Sequence, residues 1–381
     1  MDQKQKREFR LATNVFFTFV FSVTVCLLGV NSLSAQGGSP RPQVEIPGSQ
    51  LFRITSSDIG REYVIDVLLP GNYADTTRVY PVIYHLDAQW DFPLVQAIYG
   101  QQYFDGFIPA SIIVGITWGG PNPNYDSLRA IDLSPTFNAR APHSGNGPKF
   151  LSFIKNELIP AVESRYRTDK KNRTLMGSSL GGLFTLYALF QESALFNRYV
   201  LTSPAIGGDN QGFDSIEQDY ARNRANIPVR VFVAEGGLEP GVHVFEQYVD
   251  RLKARHYPGM QLETMVLEGM GHSGGKAEGF TRGLQSVFRR PAVSLADAVL
   301  DRYAGKYSVN PVVILTVRRE GRGLVVGTPD GQSIPLTAES DTEFSVPGQF
   351  LKIQFRKDGE GKVTGIHLER YGGEDFFKRI D

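Results

Sequence analysis

The chain has a single cysteine in 381 residues, and only two tryptophans. Cys26 lies inside an apolar N-terminal run, so the segment beyond that run has no thiol. It can form no disulfide, hold no metal through thiolate and use no cysteine nucleophile. Net charge is also missing: 40 Lys and Arg balance 40 Asp and Glu. Without a basic excess or stripe there is nothing to neutralise a phosphate backbone, which argues against a nucleic-acid binder. No His, Asp or Glu cluster has metal-ligand spacing, and no Gly-rich loop carries the lysine of a phosphate cradle. The reading therefore expects no metal and no cofactor. Internal repeats and long low-complexity tracts are lacking too.

What is present begins with a targeting pattern. Lys4, Lys6, Arg7 and Arg10 form a basic head, an apolar run from Val15 to Val30 follows, and small residues "NSLSAQGG" come next. This is the layout of a secretory signal peptide over residues 1–35, cleaved near Ala35, with a bacterial periplasmic or secreted destination. The run is short for a membrane span, so no stable span is expected after cleavage. Residues 36–49 are rich in Pro and Gly and read as a linker.

From residue 50 to 292, strand-like and helix-like runs alternate. Strands are expected at 61–70, 80–86, 111–117, 173–176, 198–203, 229–235 and 262–268. Several are continuously apolar, as in "SIIVGIT" and "VRVFVAE", which suits strands covered on both faces. Helical spacing marks 149–166 and 241–256. Such alternation predicts a three-layer α/β domain with a mostly parallel sheet. Residues 296–381 change character. Short alternating strands such as "LKIQFRK" and "VTGIHLERY" are separated by turn signals such as "KDGEG", and predict a small antiparallel β domain, barrel-like in form.

Within the first domain, "RTLMGSSLGGLFTLYALF" (173–190) holds Gly177, Ser179 and Gly181 in the spacing Gly-x-Ser-x-Gly. Strand-like residues precede it, and Leu180, Leu183, Phe184 and Tyr187 follow at helical spacing. A serine on so sharp a strand-to-helix turn is strained, and side chains two positions away would clash, hence the glycines. Ser179 is the candidate nucleophile. A hydroxyl needs a base. Of the six histidines, His272 in "VLEGMGHSGG" follows the last strand of the α/β domain, where a glycine-rich loop can deliver its imidazole. The acid that orients it should follow the preceding strand, in "VRVFVAEGGLEPG"; Glu239 is favoured, with Glu235 as the other candidate. Oxyanion donors are expected from the Leu180 N–H and from Ala88 or Gln89 in "YHLDAQWDF". Trp90, Trp118 and Tyr125 fall after strands and are candidate pocket residues. Arg129 and Asp132 order a loop or form an ion pair.

"PVIYHLDAQWDF", "LRAIDLSPT", the stretch from Phe153 to Ile206 and "GMGHSGG" together resemble the esterase D-like family of α/β-hydrolases. That family includes siderophore, feruloyl and acetyl-xylan esterases. The resemblance spans roughly 50–290 and implies an α/β-hydrolase fold, Ser179 as nucleophile and His272 as base. Two features depart from the family: Ala88 stands where Leu-Asp-Gly is common, and "SPAIGGDN" lacks an aromatic pair. "LDRYAGKYSV" resembles the start of a small lipocalin-like domain found behind several bacterial serine hydrolases. The function implied is cleavage of carboxylic esters through an acyl-enzyme, on a small-molecule or glycan-linked substrate. An acyltransferase would use the same triad, and an inert envelope or glycan binder would use none of it.

Overall fold

The computed structural model describes residues 45–74, 77–139, 141–206, 211–223, 226–290, 292–346, 351–370 and 373–381. The expected signal peptide, Cys26 and residues 36–44 of the linker lie outside these residues. Residues 46–381 form one compact unit.

Eight strands make the first sheet: β1 (Ser49–Thr55), β2 (Glu62–Leu68), β3 (Tyr80–Leu86), β4 (Ile112–Trp118), β5 (Thr168–Ser178), β6 (Arg198–Thr202), β7 (Arg230–Gly236) and β8 (Gln261–Leu267). Their order is β1-β2-β4-β3-β5-β6-β7-β8. β1 and β2 run antiparallel to their neighbours, and β3 to β8 are parallel. Every residue of β4 is buried, because helices cover both faces of a parallel sheet. One layer packs Tyr63, Phe150, Phe153, Phe184 and Leu186 against the sheet. The other packs Phe92, Val95, Met176, Phe280 and Leu284. This is the expected α/β-hydrolase architecture.

β1 is an addition to the expected strands; it begins at Ser49, the last residue of the expected linker. The helix expected over 149–166 is divided. It runs as α-helix over Gly147–Phe153, widens to a π turn over Ile154–Leu158 and resumes over Ile159–Arg165. Pro160 has no N–H to give to an upstream carbonyl, and a locally widened turn accommodates that.

The C-terminal strands close on themselves. The barrel order is β10 (Ile314–Glu320), β11 (Gly323–Gly327), β12 (Ser333–Ala338), β13 (Glu343–Ser345), β14 (Leu351–Lys357), β15 (Val363–Arg370), β16 (Gly373–Arg379) and back to β9 (Gly305–Ser308). β9, in "YAGKYSV", is the strand that the turn signals did not reveal; it pairs with β10 on one side and β16 on the other. Alternate residues of these strands point inward. Tyr303, Tyr307, Phe344, Phe355 and Ile366 fill the interior, and Phe355 stacks on Tyr303 at 4.2 Å between ring centroids. The barrel is thus packed with side chains. Arg78–Glu369 at 3.1 Å and Arg290–Glu339 at 2.6 Å tie it to the sheet domain.

Candidate active site

The C-terminal ends of β3, β5, β6, β7 and β8 share one edge of the parallel sheet, and the candidate residues come from the turns that leave them. Such an edge is where open α/β sheets bind ligands. Ser179 links β5 to the helix Leu180–Gln191, with φ 58° and ψ −121°. A non-glycine residue rarely adopts this backbone, and surrounding structure must hold it. The Ser179 N–H donates to the Thr202 carbonyl at 3.1 Å, and its carbonyl accepts from Ala205 at 3.0 Å and Leu183 at 2.9 Å. Backbone crowding requires the first flanking glycine, and a closely approaching side chain favours the second. A Cβ on Gly177 would lie 2.6 Å from the Gly181 carbonyl carbon, and one on Gly181 would lie 3.2 Å from Asp87 Oδ2. Residues 181–190 of the helix are all buried, so the elbow stands on the most enclosed helix of the domain.

β7 ends in Glu235 and Gly236, and the turn after it carries Glu239. His272 Nδ1 lies 2.6 Å from Glu239 Oε2. An ionised carboxylate only accepts, so Nδ1 donates and Nε2 remains as the basic nitrogen. Glu239 Oε1 accepts from Ser203 Oγ at 2.5 Å and from the Gly236 N–H at 3.0 Å. Burial works to raise the Glu239 carboxyl; bonds from Ser203, His272 and Gly236 outweigh it and hold the group below its ordinary value. The two loops are also joined through backbone: Gly237 N–H donates to Leu267 at 2.8 Å and Leu238 N–H to Met270 at 2.9 Å.

Glu235, the alternative acid, makes no such contact. It is 6% exposed, and its Oε2 has no hydrogen-bond partner among the described residues. Burial and the neighbouring Glu239 charge push its carboxyl up to about 7. The geometry thus separates the two acids: Glu239 meets the imidazole, and Glu235 sits beside it as a buried acid.

Asp87 precedes the helix Ala88–Phe104 in a left-handed conformation, φ 59°. The N–H groups of Trp90 and Asp91 bond to its carbonyl. Those of Ala88 and Gln89, in the first turn, lack intrahelical partners, as does that of Leu180 at the start of the elbow helix. Arg129 grips the Asp87 carboxylate with two bonds, Nε–Oδ1 at 2.9 Å and Nη2–Oδ2 at 2.8 Å. The same guanidinium lies 5.6 Å over the Trp90 ring, and Trp90 meets Tyr125 edge-on at 6.2 Å. Trp90, Tyr125 and Arg129 thus form one group with Asp87, whose Oδ2 lies beside Gly181 of the elbow, and Trp90 is 46% exposed. Lys276, which follows the His272 loop, binds Asp91 at 3.0 Å and 3.1 Å.

Trp118 requires a correction. It is the last residue of β4, 2% exposed, and its Nε1 donates to Asp132 at 2.7 Å. Asp132, fully buried, also accepts from Tyr63 and Asn146 at 2.8 Å each and from Arg61. Trp118 thus completes a buried polar hub and is not placed to line a pocket. The remaining histidines lie elsewhere. His85 is 1% exposed and stacks on Phe92, His143 lies in an exposed turn, His243 is on an outer helix that His256 caps at its C-terminus, and His367 pairs with Glu374 in the barrel. Among the described residues no group of three or more His, Cys, Asp or Glu could hold a metal ion, and no helix is long and apolar enough to cross a membrane.

The family described as "Putative esterase" matches residues 56–253. The chain belongs to this family. It is accordingly a hydrolase that acts on esters, built on the α/β-hydrolase fold. The ferri-bacillibactin esterase BesA of Bacillus subtilis is 31% identical over 60% of this chain and 85% of that relative. The siderophore triacetylfusarinine C esterase of Aspergillus fumigatus is 33% identical over 45% of this chain and 60% of its own length. Among solved structures, the BES protein from Bacillus cereus is 27% identical, with a TM-score of 0.59, covering 65% of this esterase and 97% of that chain.

Two features of the candidate site carry no local sequence signal. Ser203 sits in "TSPAI" directly after a strand end, outside any motif. The Asp87–Arg129 pair joins segments 42 residues apart, a separation that no local spacing signals.

Proposed function

We propose that this esterase works through a serine acyl-enzyme, with Ser179 as nucleophile, His272 as base and Glu239 as the acid that orients it. The observation that carries the reading is the 2.6 Å contact between His272 Nδ1 and Glu239 Oε2, on the same sheet edge as a serine in a strained elbow. Ser179 Oγ attacks the ester carbonyl while His272 Nε2 takes its proton. The carbonyl oxygen becomes an oxyanion, received by the N–H of Leu180 and that of Ala88 or Gln89. Collapse expels the alcohol, which leaves with the proton from His272. Water then attacks the acyl-enzyme with His272 again as base, freeing the acid and Ser179. Throughout, Glu239 stays ionised and stabilises the imidazolium.

The siderophore esters named for the relatives are the substrate class to test first, with the exposed Trp90 and the half-buried Tyr125 beside it as the aromatic contacts for the acyl part. The basic head and apolar run of residues 1–35 support export. In the test, Ser179→Ala is compared with wild type on p-nitrophenyl acetate and on ferric siderophore triesters, with circular dichroism as the folding control. The reading predicts that hydrolysis falls by at least three orders of magnitude, roughly the range seen when a triad member is removed, with an unchanged spectrum. Hydrolysis retained in Ser179→Ala would refute it.

A further inference from the structure

The last residue of β6 and the three that follow it, 202–205, hold both halves of the candidate triad. Thr202 accepts the Ser179 N–H at 3.1 Å, and Ala205 donates to the Ser179 carbonyl at 3.0 Å. Between them, Ser203 donates its hydroxyl to Glu239 at 2.5 Å. Ser203 is itself fixed: its N–H donates to the Ala234 carbonyl at 2.7 Å, and it is 3% exposed. Its φ is 44°, a left-handed backbone at a residue that is not glycine. Glycine would adopt that conformation without strain but would bring no hydroxyl. A strained residue whose side chain bonds the triad acid is what a positioning role requires.

We infer that Ser203 is a positioning residue for ester hydrolysis, setting the Glu239–His272 pair in register with the nucleophile. The inference rests on the triad reading above. The hydroxyl occupies one lone-pair direction of Glu239 Oε1, the Gly236 N–H takes another, and Oε2 is left for His272. Two of the three bonds come from rigid strand ends, so the carboxylate cannot rotate away as the imidazole charges. The hydroxyl also favours the ionised form of Glu239. Among the described residues the titratable group that acts on Glu239 is His272, and the Glu239 charge in turn raises the Glu235 carboxyl. Loss of the hydroxyl should therefore let Glu239 protonate at higher pH and loosen the imidazole, without touching the substrate.

The test uses Ser203→Ala and Ser203→Gly. The alanine keeps the strain and loses the hydroxyl; the glycine loses both. Both variants should lower kcat about tenfold, the scale of one hydrogen bond to a charged group, with KM unchanged. The acidic limb of the kcat/KM profile should move to higher pH in both. Ser203→Gly should fold at least as well as Ser203→Ala, which keeps the kinetic loss distinct from a folding loss. In a Glu239→Gln background, Ser203→Ala should cost nothing further. Wild-type kcat and pH profile in both serine variants, beside a damaged Glu239→Gln enzyme, would overturn the role of Ser203 and leave the triad standing. Full activity in Glu239→Gln would overturn the triad reading and this inference with it.

Discussion

Replacing Glu235 by glutamine should stabilise the esterase at alkaline pH. The side chain is 6% exposed, and Oε2 has no hydrogen-bond partner among the described residues. Ionising it therefore costs desolvation that nothing offsets, and the Glu239 charge adds repulsion. Its folded-state pKa is raised from 4.5 to about 7. Below pH 4.5 the carboxyl is protonated in both folded and unfolded chains, and stability is unaffected. Between 4.5 and about 7 the unfolded chain releases the proton more readily, so folding stability falls as pH rises. Above that range the loss is complete, with an upper bound of about 3–4 kcal/mol from linkage. Glutamine has the same shape and never ionises. The measurement is thermal denaturation of wild type and Glu235→Gln at pH 5 and pH 8.5. The variant should gain little at pH 5 and several degrees at pH 8.5, in the range of a few degrees per kcal/mol for a large domain. Parallel melting temperatures at the two pH values would refute the argument that Glu235 is a buried, unpartnered acid.

Three further perturbations have defined outcomes. Arg129→Ala leaves Asp87, 2% exposed, as a buried carboxylate without its bidentate partner; the expected loss is about 3–5 kcal/mol by urea denaturation, and hydrolysis should fall as well because Asp87 leads into Ala88 and Gln89. Gly177→Ala puts a methyl 2.6 Å from the Gly181 carbonyl carbon. Backbone must then move, so stability should drop by at least about 1–3 kcal/mol and ester hydrolysis should collapse; near-normal hydrolysis would show that the elbow is looser than its geometry. Phe355→Ala opens the barrel core, where the ring is 2% exposed, at about 3–5 kcal/mol. Limited proteolysis should detect loosening in the C-terminal strands while p-nitrophenyl acetate hydrolysis at 25 °C persists, because the barrel core shares no residue with the Ser179 site.

What the sequence made legible follows from how local each signal is. The elbow was readable because Gly177, Ser179 and Gly181 lie within five consecutive residues, where a Cβ would crowd the Gly181 backbone from Gly177 and the Asp87 carboxylate from Gly181. The buried strands were readable because continuous apolar runs have few other uses. The choice between Glu235 and Glu239 stayed open, since one lies at the end of β7 and the other in the turn just after it, and only the path of the chain decides which carboxylate meets His272. Trp118 misled the reading for a related reason. A tryptophan at a strand end faces either a pocket or the core, and the partner that draws its indole inward, Asp132, is 14 residues away. Ser203 gave no motif because its role depends on a positive φ and on a contact 36 residues distant. The closing strand β9 was hidden because four residues, the first of them Gly305, carry too little alternation to stand out.

The central claim is that Ser179 is an activated nucleophile. The most direct measurement is reaction with a fluorophosphonate, followed by intact mass and peptide mapping, on wild type, Ser179→Ala and His272→Ala. The account predicts one adduct per chain on Ser179 in wild type, none in Ser179→Ala, and labelling slowed at least a hundredfold in His272→Ala, roughly the minimum contribution of general-base catalysis. An adduct on another serine, or none on folded wild-type protein, would contradict it.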